Sequence, residues 1–310
     1  MSEAEGELPA DKTSAPKPPA RAPVKPAVSA FDFVANDDDG PEMELVRDNG
    51  KAQSDGQGDV EMGIDLSGKK KVIFWVGRGK TGKTTGIRWL AETAVENGSA
   101  LLMADMDPTN DSFSKYVANV ARPPEVSDPA LALKWLDKLL QHTLQQHASL
   151  LVDLGGGDTT LRRLVAQLPN LVQLFEAQGF AVVLLVTVGP QEEDLSPLAT
   201  LQNLDFNPTA TAIICNEAMA EVGETRDAAF ARIFRHSAFR KALGAGAVPV
   251  WMPRLIPAQQ VEVRRLHFRE AADGKTGTAK TPLGPFDRSR VLHWLEAMEA
   301  NFAGIKSWLP

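Results

Sequence analysis

The sequence predicts an α/β protein: a doubly wound, mostly parallel sheet flanked by helices. Three observations carry that prediction. Short apolar, β-rich runs recur along the body of the chain, helix-period segments separate most of them, and the first run ends in a glycine-rich loop that opens directly into a helical pattern. The 310 residues, 43% of them hydrophobic, allow a sizeable core in one or two domains.

Residues 1–67 stand apart from this pattern. They hold 15 Asp/Glu against 6 Lys/Arg, a net of −9 that leaves +2 for residues 68–310, and they are rich in proline. Such a stretch buries too little apolar surface to offset its ordering entropy, so 1–67 is expected to be a disordered acidic tail and 68–310 the folded domain. Its apolar islands, around Phe31 and Phe33 and from Met43 to Val46, read either as short docking motifs or as occasional apolar residues in a tail.

In the body, strands are expected at 71–77, 100–103, 149–152, 181–187, 210–215 and 247–251. The clearest helices between them are 129–147, 158–168, 171–178, 226–243 and 258–269, and six strands alternating with helices imply a parallel sheet covered on both faces. After a loop at 272–285, the residues Val291, Leu295, Met298, Phe302, Ile305 and Leu309 form one apolar stripe, suited to packing on the sheet or on a partner subunit. Trp75 and Trp89 are expected in the core.

Composition also excludes several chemistries. A single cysteine, Cys215, rules out an intrachain disulfide and multi-cysteine zinc sites, and the five histidines show no metal spacing. The longest apolar stretch, 180–188, is well short of the roughly 18 residues that cross a bilayer, and no leader pattern opens the chain. A cytoplasmic protein without integral membrane association is the expectation.

The strongest motif is Gly77-Arg78-Gly79-Lys80-Thr81-Gly82-Lys83-Thr84, a full match to G-x-x-x-x-G-K-[ST] between a strand and a helix. Glycines let such a loop curl so that backbone N–H groups face phosphate oxygens, and the helix beginning near Lys83 adds its positive dipole end. Lys83 suits the β- and γ-phosphates, and the Thr84 hydroxyl suits Mg²⁺. Two carboxylate sites follow at strand ends, where open α/β sheets bind ligands. One is Asp105-Met-Asp107-Pro108; the other is Asp153, followed by Leu154-Gly155-Gly156-Gly157-Asp158. Asp153 ends an apolar strand in the Walker B manner and is assigned to the Mg²⁺ shell, with Asp105 sharing metal or nucleotide positioning and Asp107 orienting the attacking water. The glycine run reads as a nucleotide-sensing switch or as a flexible turn.

Together these residues resemble the ParA/MinD family of deviant Walker A P-loop ATPases, whose loop runs K-G-G-x-G-K-T-T and whose second strand ends in D-x-D-P. The matching stretches are Arg78-Gly79-Lys80-Thr81-Gly82-Lys83-Thr84-Thr85 and Asp105-Met106-Asp107-Pro108. Asn216, after the strand AIIC, falls where the family contacts adenine, and Pro253 and Arg254 match its late proline-containing loop on the other side of the base. The resemblance implies Mg-ATP as ligand, ATP-dependent homodimerisation and slow hydrolysis that resets the dimer. It also implies a partitioned or positioned cargo: a plasmid, DNA or a large protein complex, in a branch similar to plasmid partition and conjugative transfer. Nonspecific DNA binding belongs to that expectation, with Arg232, Arg235, Arg240, Arg264, Arg265, Arg269, Lys275 and Lys280 as candidates.

One departure bears on catalysis. The family's signature lysine, which reaches across the dimer, is matched by Arg78, and its second glycine by Lys80. Arginine keeps the charge on a planar fork of different reach. Either Arg78 or Lys80 takes the trans role, or neither does. Two other functions use the same loop: a nonhydrolysing ATP-binding adaptor, and a P-loop kinase of a small molecule.

Overall fold

The computed structural model describes residues 60–107, 112–123, 129–155, 157 and 159–310. The tail expected at 1–67, with its islands near Phe31 and Met43, lies up to residue 59 outside the described residues, as do Pro108, Gly156 and Asp158. Residues 60–67 are described, and they pack against the C-terminal segment. Leu66 is buried, Gly63 N–H donates to the Gly304 carbonyl at 2.9 Å, and Trp308 Nε1 donates to the Ile64 carbonyl at 2.7 Å. The expected boundary between 67 and 68 therefore falls inside a packed stretch.

Among the described residues, seven strands form one parallel sheet in the order β3-β2-β4-β1-β5-β6-β7. They are β1 (Lys70–Gly77), β2 (Leu101–Asp105), β3 (Val120–Ala121), β4 (Ser149–Asp153), β5 (Phe180–Val188), β6 (Ala210–Asn216) and β7 (Val248–Met252). Six are the expected strands. The seventh, β3, is a two-residue edge pairing with β2, too short to leave a periodic signature.

The helices are α1 (Lys83–Glu96), α2 (Ser112–Tyr116), α3 (Pro129–Gln146), α4 (Thr160–Gln167), α5 (Leu171–Glu176), α6 (Ser196–Asn203), α7 (Arg226–Arg235), α8 (Ser237–Gly244), α9 (Ala258–Val263), α10 (Phe268–Ala272) and α11 (Pro285–Asn301). Two expected helices are each a pair. The segment 226–243 breaks at His236, whose extended backbone caps α8 through its own side chain, and 258–269 breaks where Arg265 turns left-handed at φ 51°. The last helix ends at Asn301, and a 3₁₀ segment, Ala303–Trp308, carries the stripe onward.

Alternation along the strands explains why both faces are covered. Ile73, Trp75, Val183, Leu185, Ile214 and Val250 point to one layer, where α1, α9, α10 and α11 lie. Val72, Phe74, Val152, Val186 and Ile213 point to the other, filled by α3 to α8. The C-terminal stripe packs on the first face, with Val291, Met298, Phe302 and Ile305 at 0–1% exposure, so it closes the domain rather than waiting for a partner. Trp75 and Trp89 are in the core, as expected.

Candidate functional site

The site forms at the carboxyl ends of β1, β2 and β4, beside the point where strand order reverses across β1 and β5. The chain leaves β1 at Gly77 and makes a tight turn closed by Thr81, whose hydroxyl donates to the Arg78 carbonyl at 2.9 Å. It then enters α1 through Gly82 at φ 84°. A Cβ at Gly82 would lie 2.1 Å from Asn216 Nδ2, so glycine is required there on two counts, backbone and space. Gly77 is close to the Thr187 carbonyl for the same spatial reason. The first turn of α1 has no acidic residue and Gly82 offers no side-chain cap, while Thr85 N–H donates back to the Gly82 carbonyl at 3.1 Å.

Lys83 is buried and its ammonium is bonded to the Asp153 carboxylate at the end of β4. Because β1 and β4 are neighbours with Trp75 level with Asp153, the topology brings the first residue of α1 onto the end of β4. Asp105 ends β2 level with Asp153. Its carboxylate, 1% exposed, accepts the N–H groups of Asp107 at 3.1 Å and Ser114 at 3.3 Å, and so holds the chain as it leaves β2. Burial raises the Asp105 carboxyl above its ordinary range. Burial likewise raises Asp153 to about 6, a shift that Lys83 opposes only in part and that Asp105 and Asp107 reinforce.

Asp107 lies beside the glycine run: a Cβ at Gly155 would stand 3.0 Å from Asp107 Cγ. Asp107 and the glycine run, read separately in the sequence, thus lie side by side. Beside Gly77, a cavity of about 130 Å³ is lined by Gly155, Gly157, Arg162, Ser196 and Thr200 among others.

Asn216 sits in the site, but its amide is engaged. Nδ2 donates to the Thr81 carbonyl at 2.8 Å and Oδ1 accepts from Ala218 N–H at 3.0 Å, so it stitches the loop to β6. Arg254 is committed to the carbonyls of Glu217 and Ala220, and the Pro253 carbonyl accepts from Trp294 Nε1 at 2.8 Å. These residues tie together the two loops that follow β6 and β7. Thr84 and Thr85 occupy the first turn of α1.

Two features escaped the sequence. Asp194, on a 3₁₀ turn after β5, is 7% exposed at its side chain, accepts Gly189 N–H at 3.1 Å and pairs with Arg78 at 3.6 Å. Nothing in Gln191-Glu192-Glu193-Asp194 distinguishes that acid from its neighbours. The other is a buried pair on α1, Arg88 and Glu92. Arg88 lies 3.7 Å over the Tyr116 ring and donates to the Leu266 carbonyl, while Glu92 accepts from Phe268 N–H at 2.7 Å. Charged residues at i and i+4 flanking an apolar stripe were the available signal.

The basic candidates for DNA scatter. Arg232 and Arg235 end α7 and Arg240 lies on α8, whereas Arg269 pairs with Glu96 and Glu299 and Lys275 with Glu270. Among the described residues no helix is long and apolar enough to cross a membrane.

No family model and no curated protein matches the chain. Among solved structures it is similar to FtsY from Mycoplasma mycoides at 14% identity, over 78% of this chain and 73% of that one, with a TM-score of 0.38. It is also similar to the signal recognition particle receptor FtsY from Elizabethkingia anophelis in complex with GDP, at 14% identity over 63% of this chain and 61% of that one, again at 0.38. Neither likeness is strong enough to carry function. The parallel sheet, the glycine loop between β1 and α1, and the acids ending β2 and β4 give this chain the P-loop NTPase fold.

Proposed function

We propose that the protein is a Mg-ATP-dependent ATPase of ParA/MinD type, which dimerises on binding ATP and hydrolyses it slowly to position a cargo. The observation that carries this reading is the convergence of Lys83, Asp153, Asp105 and Asp107 on a glycine loop at a bare helix N-terminus. The pattern Asp105-x-Asp107-Pro108 and the doubled Thr84-Thr85 favour ATP and the ParA/MinD type over other P-loop enzymes.

In this reading the loop N–H groups bind the phosphates and Lys83 moves from Asp153 to the terminal phosphate oxygens. The donors fit Mg²⁺: a hydroxyl from Thr84 and carboxylates from Asp153 and Asp105 are hard oxygen ligands, and Mg²⁺ is commonly held by one or two such groups plus phosphate. Bound there, the ion would neutralise phosphate charge. Asp107 orients the attacking water against the Gly155 backbone, and Asn216 keeps the loop in register with β6.

The dimer, its DNA surface and its cargo belong to the same proposal, with Arg232, Arg235 and Arg240 as the surface to test for DNA. The deciding experiment is sedimentation of the full chain with Mg²⁺ and either ADP or ATP, alongside Asp107→Ala. A mass that doubles with ATP alone, and stays doubled in the variant, supports the cycle. ATP binding with unchanged mass favours the adaptor reading.

A further inference from the structure

Two cations stand at the tip of the glycine loop, and the structure treats them differently. Arg78 is held: its guanidinium pairs with Asp194, and that carboxylate is itself buried and fixed by Gly189 N–H. A side chain at Gly189 would meet Asp194 Oδ2 at 2.8 Å, so the anchor is built into the end of β5. Lys80 is exposed, with no ion pair or side-chain hydrogen bond among the described residues, and its backbone is left-handed at φ 71°. That conformation suits glycine and costs any other residue free energy, so a lysine there sits against the local backbone preference.

Resting on the nucleotide reading above, we propose that Lys80 is the loop-tip cation that contacts the phosphates of bound nucleoside triphosphate, and that Arg78 is a positioning residue fixed by Asp194. An ammonium on a flexible stem at the open tip reaches a phosphate oxygen without breaking any existing pair, whereas Arg78 would first have to leave Asp194. The division also accounts for an arginine at position 78: a planar fork suits a carboxylate partner.

The test compares Lys80→Gly, Arg78→Ala and Asp194→Asn in the full chain by Mg-ATP turnover at saturating ATP and by thermal unfolding. Lys80→Gly restores the residue its backbone prefers, so it should melt at the same temperature or up to about 4 °C higher while losing turnover about tenfold or more. Lys80→Arg, which keeps a cation, should recover part of that loss. Arg78→Ala and Asp194→Asn should each lower the melting temperature by about 1–4 °C and turnover by a smaller factor, and their double variant should be no worse than either. Turnover within twofold of the unaltered chain in Lys80→Gly overturns the assignment. So does a loss in Arg78→Ala as large as in Lys80→Gly with no change in melting. If the unaltered chain binds no ATP, the nucleotide reading itself falls and takes this assignment with it.

Discussion

Replacing Gly82 by alanine tests how the loop is held in place. The new Cβ would sit 2.1 Å from Asn216 Nδ2, well inside contact distance, at a backbone φ of 84°. The left-handed backbone costs an L-residue about 1–2 kcal/mol. The clash adds to this, because Asn216 is 3% exposed and must move, releasing the Thr81 carbonyl and the Ala218 N–H. Leaving the buried Thr81 carbonyl unpaired costs about 1–3 kcal/mol, for a total of about 2–5 kcal/mol. In a domain of this size that lowers the melting temperature by roughly 5–20 °C. The cause is isolated by a cycle with Asn216→Ala, which removes the obstacle: once Asn216 is truncated, Gly82→Ala should cost only its backbone part. The two substitutions should therefore be non-additive by about 1–3 kcal/mol in urea denaturation. Additivity to within about 0.5 kcal/mol would refute the contact and with it the role given to Asn216.

Three further outcomes follow from buried groups. Arg88→Leu strands Glu92 without its cation and should destabilise by about 3–5 kcal/mol in urea denaturation, most of it recovered by adding Glu92→Gln; no recovery would mean that the pair is not coupled. Burial holds the Asp153 carboxyl at about 6 against 3.8 for the free group, so the native state binds this proton more tightly than the unfolded chain does. Its stabilising contribution is full below about pH 4 and is lost as pH rises through about 6. Asp153→Asn should flatten the stability profile across that window, and identical pH slopes would contradict the assignment. Gly86→Ala improves helix propensity by about 1 kcal/mol but puts a methyl 2.6 Å from the Trp75 ring, so a net loss of stability of up to about 2 kcal/mol is expected; a higher melting temperature would disprove the close contact.

Much of the fold was legible because each strand in this sheet is buried on both faces. Val182-Val183-Leu184-Leu185-Val186 shows 0–2% exposure on both sides of the sheet and so reads as an unbroken apolar run. The loop was legible because its glycines answer to geometry at fixed positions. What the sequence hid depends on contacts between distant segments: β3 pairs with β2, residues 60–66 pack against the C-terminal segment, and Asp194 is set apart only where β5 ends beside the loop. The helix breaks at His236 and Arg265 were hidden for another reason. Neither is glycine or proline: His236 starts the second helix by accepting the Ala238 N–H with its own ring, and Arg265 takes a left-handed backbone that its residue type does not announce.

The pairing of Lys83 with Asp153 sets a condition on ligand binding. In the proposed reading, when phosphate takes Lys83, Asp153, 2% exposed and with Asp105 and Asp107 beside it, must either hold an unpaired buried charge or take up a proton. Leaving a buried ion without its partner costs about 3–5 kcal/mol, enough to weaken binding about 100-fold or more. A divalent cation arriving with the nucleotide removes that cost by placing positive charge where the ammonium had been. Phosphate and metal should therefore bind as a pair in the unaltered chain. In Asp153→Asn, where no carboxylate is left behind, nucleotide affinity should depend far less on the metal. The check is ATP affinity by calorimetry in Mg²⁺ and in EDTA for both proteins. A drop of about 100-fold or more in EDTA for the unaltered chain, shrinking to about tenfold or less in the variant, is expected. An equal drop in both would mean that Lys83 leaves Asp153 without penalty, and the coupling drawn from this buried pair would be wrong.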